Sequence, residues 1–141
     1  MGEMTEPQWR AFLSEGTRTG KVAVTRKDGS PHVTPLWFVL DGPDIVFNVD
    51  KNSMKGRILR RDPRVCMTVD LQEPPYAFVM VEGEATLSDD LEEMLPWSLR
   101  LGDRYMGPER GDEYGRRNAV EGVLLVRVRM NKVVAFDDIT A

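Results

Sequence analysis

The chain has 141 residues, 41% hydrophobic and 30% charged, with a formal net charge of -4. This size suits one domain, residues 1–141, around a single core. One cysteine, Cys66, and one histidine, His32, exclude an internal disulfide and leave no ligand set for a zinc site, so no metal is expected. They also speak against Ser-His-Asp or Cys-His catalysis, because His32 sits in an apparent strand with no nucleophile motif nearby. No apolar run approaches the roughly 20 residues that span a bilayer, and MGEMTEPQWR lacks the features of a signal peptide, so a cytoplasmic protein with no membrane contact is expected. The acidic balance opposes nucleic-acid binding, which draws its affinity from lysine and arginine on phosphates. If the chain is an enzyme, a bound group supplies the chemistry.

In chain order, Glu6 to Glu15 carries Trp9, Phe12 and Leu13 at helical spacing and stops at Gly16, which predicts a short amphipathic helix. Lys21 to Arg26 alternates, Asp28-Gly29-Ser30 turns the chain, and Pro31 to Leu40 returns as a longer strand. A turn at Asp41-Gly42-Pro43-Asp44 leads into a third strand, Ile45 to Val49. A helix follows from about Met54 to Asp62, capped by Ser53 or Asn52 and ended by Pro63. Val65 to Leu71 is a strand, and Ala77 to Leu87 is the longest alternating run, with Val79, Val81, Gly83, Ala85 and Leu87 on one face. From Asp89 a helix carries Leu91, Met94, Leu95 and Leu99, with a kink expected at Pro96. Asp103 to Gly122 reads as an irregular or partly helical excursion. Val123 to Met130 and Val133 to Phe136 read as two strands joined by a hairpin turn at Asn131-Lys132. Tight turns between about six or seven strands predict an α+β fold, a small antiparallel β-barrel with short peripheral helices. A barrel of this size fills its own interior, so a ligand binds outside it, at a groove that two subunits can share.

Charge is unevenly placed. Lys51, Lys55, Arg57, Arg60, Arg61 and Arg64 stand against only Asp62, a pattern that suits a small anionic ligand or a solvated helix face. Three segments converge on one site. His32-Val33-Thr34-Pro35-Leu36-Trp37-Phe38 contains a proline that removes a ladder donor and marks an edge where a flat ring can lie. Ile45-Val46-Phe47-Asn48-Val49 runs beside it and delivers the chain to Lys51-Asn52-Ser53-Met54-Lys55, where a helix start, a hydroxyl and an ammonium favour a phosphate. Cys66 on an apolar strand reads as buried and inert, and Glu82 and Glu84 as solvent or interface residues.

The hairpin Val22 to Phe38, the segment Lys55-Gly56-Arg57-Ile58-Leu59-Arg60-Arg61-Asp62-Pro63-Arg64-Val65 and the piece Val81-Glu82-Gly83-Glu84-Ala85 resemble the pyridoxamine 5'-phosphate oxidase-like superfamily of FMN-binding split barrels. Within it they are most similar to the B class of deazaflavin-dependent oxidoreductases. The resemblance implies a homodimer of six-stranded split barrels with two cofactor sites at the interface. It implies F420 as cofactor, with FMN as the alternative, and hydride transfer to a conjugated small-molecule substrate. A carrier or sensor that binds the cofactor without turnover is the non-enzymatic alternative. By the same resemblance Val33, Thr34, Pro35, Leu36 and Trp37 support the ring, and Phe47, Asn48 and Val49 flank the linker. Lys55 matches the phosphate-binding lysine, and Ser53, Arg60 and Lys51 are further candidates on the anionic side. Tyr76, Phe78, Trp97 and Tyr105 are assigned to the second subunit's share of the site. No catalytic residue is assigned.

Overall fold

The computed structural model describes residues 1–141. In chain order the elements are β1 (Gly2–Glu3), α1 (Glu6–Ser14), β2 (Gly20–Thr25), β3 (Pro31–Leu36), β4 (Val39–Asp41), β5 (Asp44–Asp50), α2 (Met54–Leu59), β6 (Arg64–Leu71), β7 (Ala77–Ser88), α3 (Leu91–Arg117) and β8 (Val123–Asp137). All pairings are antiparallel, and the strands make one eight-stranded sheet in the order β3-β2-β6-β7-β8-β5-β4, with β1 added beside β8. The hydrogen-bonded path is open: β3 and β4 stand at its two ends and do not pair. No helix is long and apolar enough to cross a membrane.

Period-two alternation puts one side of the sheet into a common core. Val22 and Val24 of β2, Phe47 and Val49 of β5, Met67 and Val69 of β6, Val79 and Val81 of β7 and Val126 and Val128 of β8 share it with Leu13 of α1 and Ile58 and Leu59 of α2. Each such side chain contributes roughly 1.5–3 kcal/mol when fully buried, so this core holds the sheet curled around itself. A second, smaller core lies on the opposite side of β4, β5 and β8. There Val39, Val46 and Leu125 pack against Met94 and Leu101 of α3.

The structure departs from the sequence expectations in three places. The segment expected as one strand from Pro31 to Leu40 divides at Trp37 and Phe38 into β3 and β4. That division and the short β1, less the merging of the last two expected strands, give eight strands in an open sheet where six or seven in a barrel are expected. The hairpin expected at Asn131-Lys132 does not form. One continuous strand, β8, pairs with β7 from Phe78 to Ser88, and Asn131 is the extra residue of a β-bulge opposite Glu82 and Gly83. The expected kink at Pro96 is absent, and the excursion from Asp103, expected as irregular or partly helical, is helical to Arg117 within α3. Helical geometry passes through Pro96 and breaks at Gly107, whose φ of 81° places it in the left-handed region before Pro108.

The two halves of α3 then meet backbone to backbone. A Cβ on Gly102 would collide with the Gly111 carbonyl, and one on Gly115 would stand 2.7 Å from the Leu99 Cα. The glycines that suggest irregularity in the sequence are the close-packing surface of a helical hairpin.

Candidate functional site

The chain leaves β5 at Asp50 through a turn that is hydrogen-bonded throughout. The Asp50 carboxylate accepts from the Asn52 N–H at 2.8 Å, and the Ser53 hydroxyl donates to the Asp50 carbonyl at 2.6 Å. The same hydroxyl accepts from the Gly56 N–H at 3.1 Å and so caps α2, as expected. Arg60 reaches back to donate to the Lys51 carbonyl at 2.9 Å. Gly56 is required here, since any side chain would run into the Asp50 carbonyl. Ser53 and Arg60 are thus engaged in building the turn. Lys51 is exposed, and Lys55 is half-buried. Burial alone pushes the Lys55 ammonium below its ordinary range, with no carboxylate or hydrogen bond to offset it.

Alternation on β3 divides the ring-supporting candidates. Val33, 60% exposed, and Pro35 face outward, whereas His32, Thr34 and Leu36 are half-buried. His32 Nδ1 and Thr34 Oγ1 are buried with no hydrogen-bond partner. Burial, then the charges of Lys55 and Arg26, hold the His32 imidazole below its ordinary range, so His32 lies within the field of the α2 lysine.

The edge of β3 has a distinct chemistry. β3 pairs only with β2, Pro31 opposite Thr25 and Pro35 opposite Lys21. Proline has no N–H, so positions 31, 33 and 35 are the ones whose ladder groups turn away from β2. Arg26 donates to the Pro31 carbonyl at 2.6 Å. One donor, the Val33 N–H, and two acceptors, the Val33 and Pro35 carbonyls, are left along the free edge.

Past β3, Trp37 is held from the α3 side. Its ring stacks on Tyr105 with centroids 5.1 Å apart and 3° between the planes, and tilts against Tyr114 at 6.2 Å. The Tyr105 hydroxyl lies 2.9 Å from the Arg18 carbonyl and accepts from the Phe38 N–H at 3.2 Å. Arg104 donates to the carbonyls of Leu13 and Phe38 at 2.7 Å and of Gly16 at 3.0 Å. Tyr105 and Trp97, assigned in sequence to the second subunit's share of the site, pack within their own chain. Trp97 lies under the guanidinium groups of Arg100 and Arg127.

On β5, Phe47 and Val49 point into the main core, so only their backbone is available to a ligand, while Asn48 points toward α3. The Asn48 amide donates to Ser98 Oγ at 2.5 Å. A cavity of about 320 Å³ lies there, walled by residues including Trp37, Asn48 and Ser98. Ser98 was not identified from sequence, although a polar residue between Met94 and Leu101 on the buried stripe was its signal. Tyr76 and Phe78 sit at the far end of β6 from α2: Tyr76 follows the Pro74–Pro75 turn, and Phe78 packs on Phe136 at 6.0 Å. The structure thus places His32 of β3 in the field of Lys55 and sets Trp37 and Asn48 on one cavity wall, while Tyr76 and Phe78 lie at the other end of β6.

A groove of about 360 Å³ crosses the outward face of β2, β6, β7 and β8, with Arg64, Glu82, Glu84 and Lys132 around Cys66. Cys66 is half-buried at this groove and not in the core as expected; burial, then the Glu82 carboxylate, raise its thiol above its ordinary value and favour the protonated form.

The comparisons with known proteins agree with this architecture. The crystal structure of a conserved hypothetical protein, Rv2991, from Mycobacterium tuberculosis superposes with a TM-score of 0.83 at 27% identity, covering 96% of this chain and 86% of that one. A structure named F420 reductase gives a TM-score of 0.68 at 26% identity, over 87% of this chain and 94% of the other. The heme storage protein HutZ from Vibrio cholerae, at 19% identity, shares the fold with a TM-score of 0.72 over 92% of this chain and 94% of its own. A search of curated protein sequences finds no match. The profile described as pyridoxamine 5'-phosphate oxidase matches residues 5–133, from the cap of α1 to the middle of β8, and the chain belongs to that family.

Proposed function

We propose that the chain is an oxidoreductase that binds a deazaflavin of the F420 type and moves a hydride between it and a conjugated small-molecule substrate. The observation that carries this reading is Lys55, a half-buried ammonium with no anionic partner, beside a strand edge with free ladder groups. An unpaired, partly desolvated cation is costly unless an anion completes it. The similarity to the F420 reductase supports the choice of cofactor.

The residues present fit such a group. Lys55 would hold a phosphate, and the Val33 N–H with the Val33 and Pro35 carbonyls would meet the polar edge of a flat ring. Thr34, Leu36 and Trp37 would form the wall behind it. F420 has a longer anionic tail than FMN, and Lys51 and Arg57, exposed around α2, supply charge for it. Ser53 and Arg60 would act by fixing the turn that presents Lys55. When bound, the deazaflavin supplies two-electron hydride chemistry, so the chain's task is to place and shield the ring without a catalytic triad. The reading includes a homodimer in which Tyr76 and Phe78 of the second subunit close the site.

Fluorescence titration with F420 and, in parallel, with FMN tests this reading. Micromolar F420 binding with weaker FMN binding is expected, and Lys55→Ala should cost about 1–3 kcal/mol of it. A preference for FMN would move the chain to the flavin branch, and binding of neither would remove the function. Light scattering is expected to give twice the chain mass, and a monomer at micromolar concentration would overturn the shared site.

A further inference from the structure

The cavity between β5 and α3 shares Trp37 and Asn48 with the cofactor reading and adds Ser98, Leu101 and Asn118, which that reading does not use. Its walls are apolar at Trp37 and Leu101 and polar at Asn48, Ser98 and Asn118. The only ionisable wall residue is Asp50, and no lysine, arginine or histidine lines it. The space is therefore unsuited to an anion, in contrast to the surroundings of Lys55. Its volume of about 320 Å³ is at the small end of ligand pockets.

Two polar groups in this wall are incompletely used. Ser98 is 1% exposed in an otherwise apolar layer. The Asn48 amide donates to its oxygen at 2.5 Å, while Asn48 Oδ1 is buried with no partner. The Ser98 hydroxyl proton likewise reaches no acceptor, since its single hydrogen bond is the one it receives from Asn48. With the second Nδ2 proton, which has no acceptor either, one acceptor and two donors of this pair are unused. Turning the amide end for end conserves this count: the Ser98 hydroxyl would donate to Oδ1, leaving both Nδ2 protons and a Ser98 lone pair. An amide held by a hydroxyl, with at least one donor and one acceptor spare between them, matches a group that itself donates and accepts at adjacent atoms. A buried polar pair left in this state costs stability that an apolar pair would not.

We propose that this cavity binds a small, uncharged, planar molecule carrying a carboxamide or ring lactam, with its flat face against Trp37 and its amide on Asn48 and Ser98. The carboxamide carbonyl takes a free proton and its N–H the free oxygen. Because Asn48 Oδ1 is covered, entry of the ligand turns the Asn48 side chain, and resonances of this residue and of the Trp37 indole report it. The binding does not depend on the cofactor reading. That the bound molecule is also the hydride acceptor rests on that reading.

The experiment is an NMR titration of the ¹⁵N-labelled full chain, without any cofactor, using benzamide and, separately, benzoate, which has the same shape but a negative charge. Benzamide is expected to shift the Trp37 indole and Asn48 side-chain signals saturably, with a Kd of about 1 mM, and benzoate to bind about tenfold more weakly or worse. Ser98→Ala and Asn48→Leu should each weaken benzamide by roughly fivefold or more, with the signals of β2 and β6 unchanged. Equal binding of benzamide and benzoate, no saturable shift at either residue, or undiminished binding by Ser98→Ala would overturn the proposal. Should Asn48→Leu fail to fold, the serine variant and the wild-type comparison still decide. The titration is run without cofactor and turns on Ser98, which the cofactor reading does not use, so the two readings fail separately.

Discussion

The ring of Tyr105 lies parallel to the indole of Trp37, 5.1 Å away and within 3°, while its hydroxyl meets the backbone of Phe38, the next residue in the chain. One side chain of α3 thus fixes both the ring and the backbone where β3 gives way to β4. Removing the hydroxyl with Tyr105→Phe should cost about 1 kcal/mol, and removing the ring with Tyr105→Ala about 3–5 kcal/mol. Chemical denaturation measures both, and near-ultraviolet circular dichroism should show the Trp37 signal lost only in the alanine variant.

Arg104 ties α3 to the end of α1 and to the β3–β4 junction by donating to the carbonyls of Leu13, Gly16 and Phe38. Its guanidinium also lies over the Phe38 ring at 4.7 Å. A lysine cannot reproduce this planar fork. Arg104→Lys is expected to destabilise by about 2–4 kcal/mol, read from the urea midpoint at unchanged slope. A loss too small to resolve would mean that water replaces the fork.

His32 gives the fold a pH dependence of known sign. Its folded pKa lies below the ordinary value of 6.5 because of burial and then the charges of Lys55 and Arg26. The unfolded chain then binds more protons as the pH falls below about 6.5, so folded stability declines from there downward. His32→Asn should lose less stability than the wild type between about pH 7.5 and 5.5, as measured by thermal melts in both buffers. Parallel pH profiles of the two proteins would remove His32 as the cause.

The glycine contacts of α3 predict the least tolerated small substitution. Gly102→Ala directs a methyl into the Gly111 carbonyl, where neither half of the hairpin can withdraw without losing contacts. A loss of about 1–3 kcal/mol or more is expected. Gly16→Ala meets nothing within 4 Å and carries only the strain of its φ of 60°, so it should cost about 1 kcal/mol. Comparing their melting temperatures checks this order.

What could be read from the sequence follows from which forces are local. Alternation in Lys21–Arg26, Val65–Leu71 and Ala77–Leu87 reports a buried face directly, and these strands lie within a residue or so of expectation. The Ser53 cap is equally local. The division at Trp37 and Phe38 is not, because those residues are apolar in either arrangement and only the tyrosine and arginine of a helix some 66 residues away decide it. The Asn131 bulge has the composition of a turn, and only pairing to β7 on both sides distinguishes the two. For the site, the unpaired Lys55 was visible as a basic residue at a helix start. The engagement of Ser53 and Arg60 in the turn, the nearness of His32 to Lys55, and the Asn48–Ser98 pair all depend on packing across the sheet.

The two prolines of β3 bear on solubility as well as on binding. An open sheet edge ordinarily invites another chain to add as a strand, and so to grow into an aggregate. Here the missing N–H groups of Pro31 and Pro35 leave Val33 as the one donor on that side. A single donor suffices for a small heterocycle, whereas a polypeptide needs one at every second residue. The edge can therefore stay exposed to solvent, available to a ligand, without acting as a template for polymerisation.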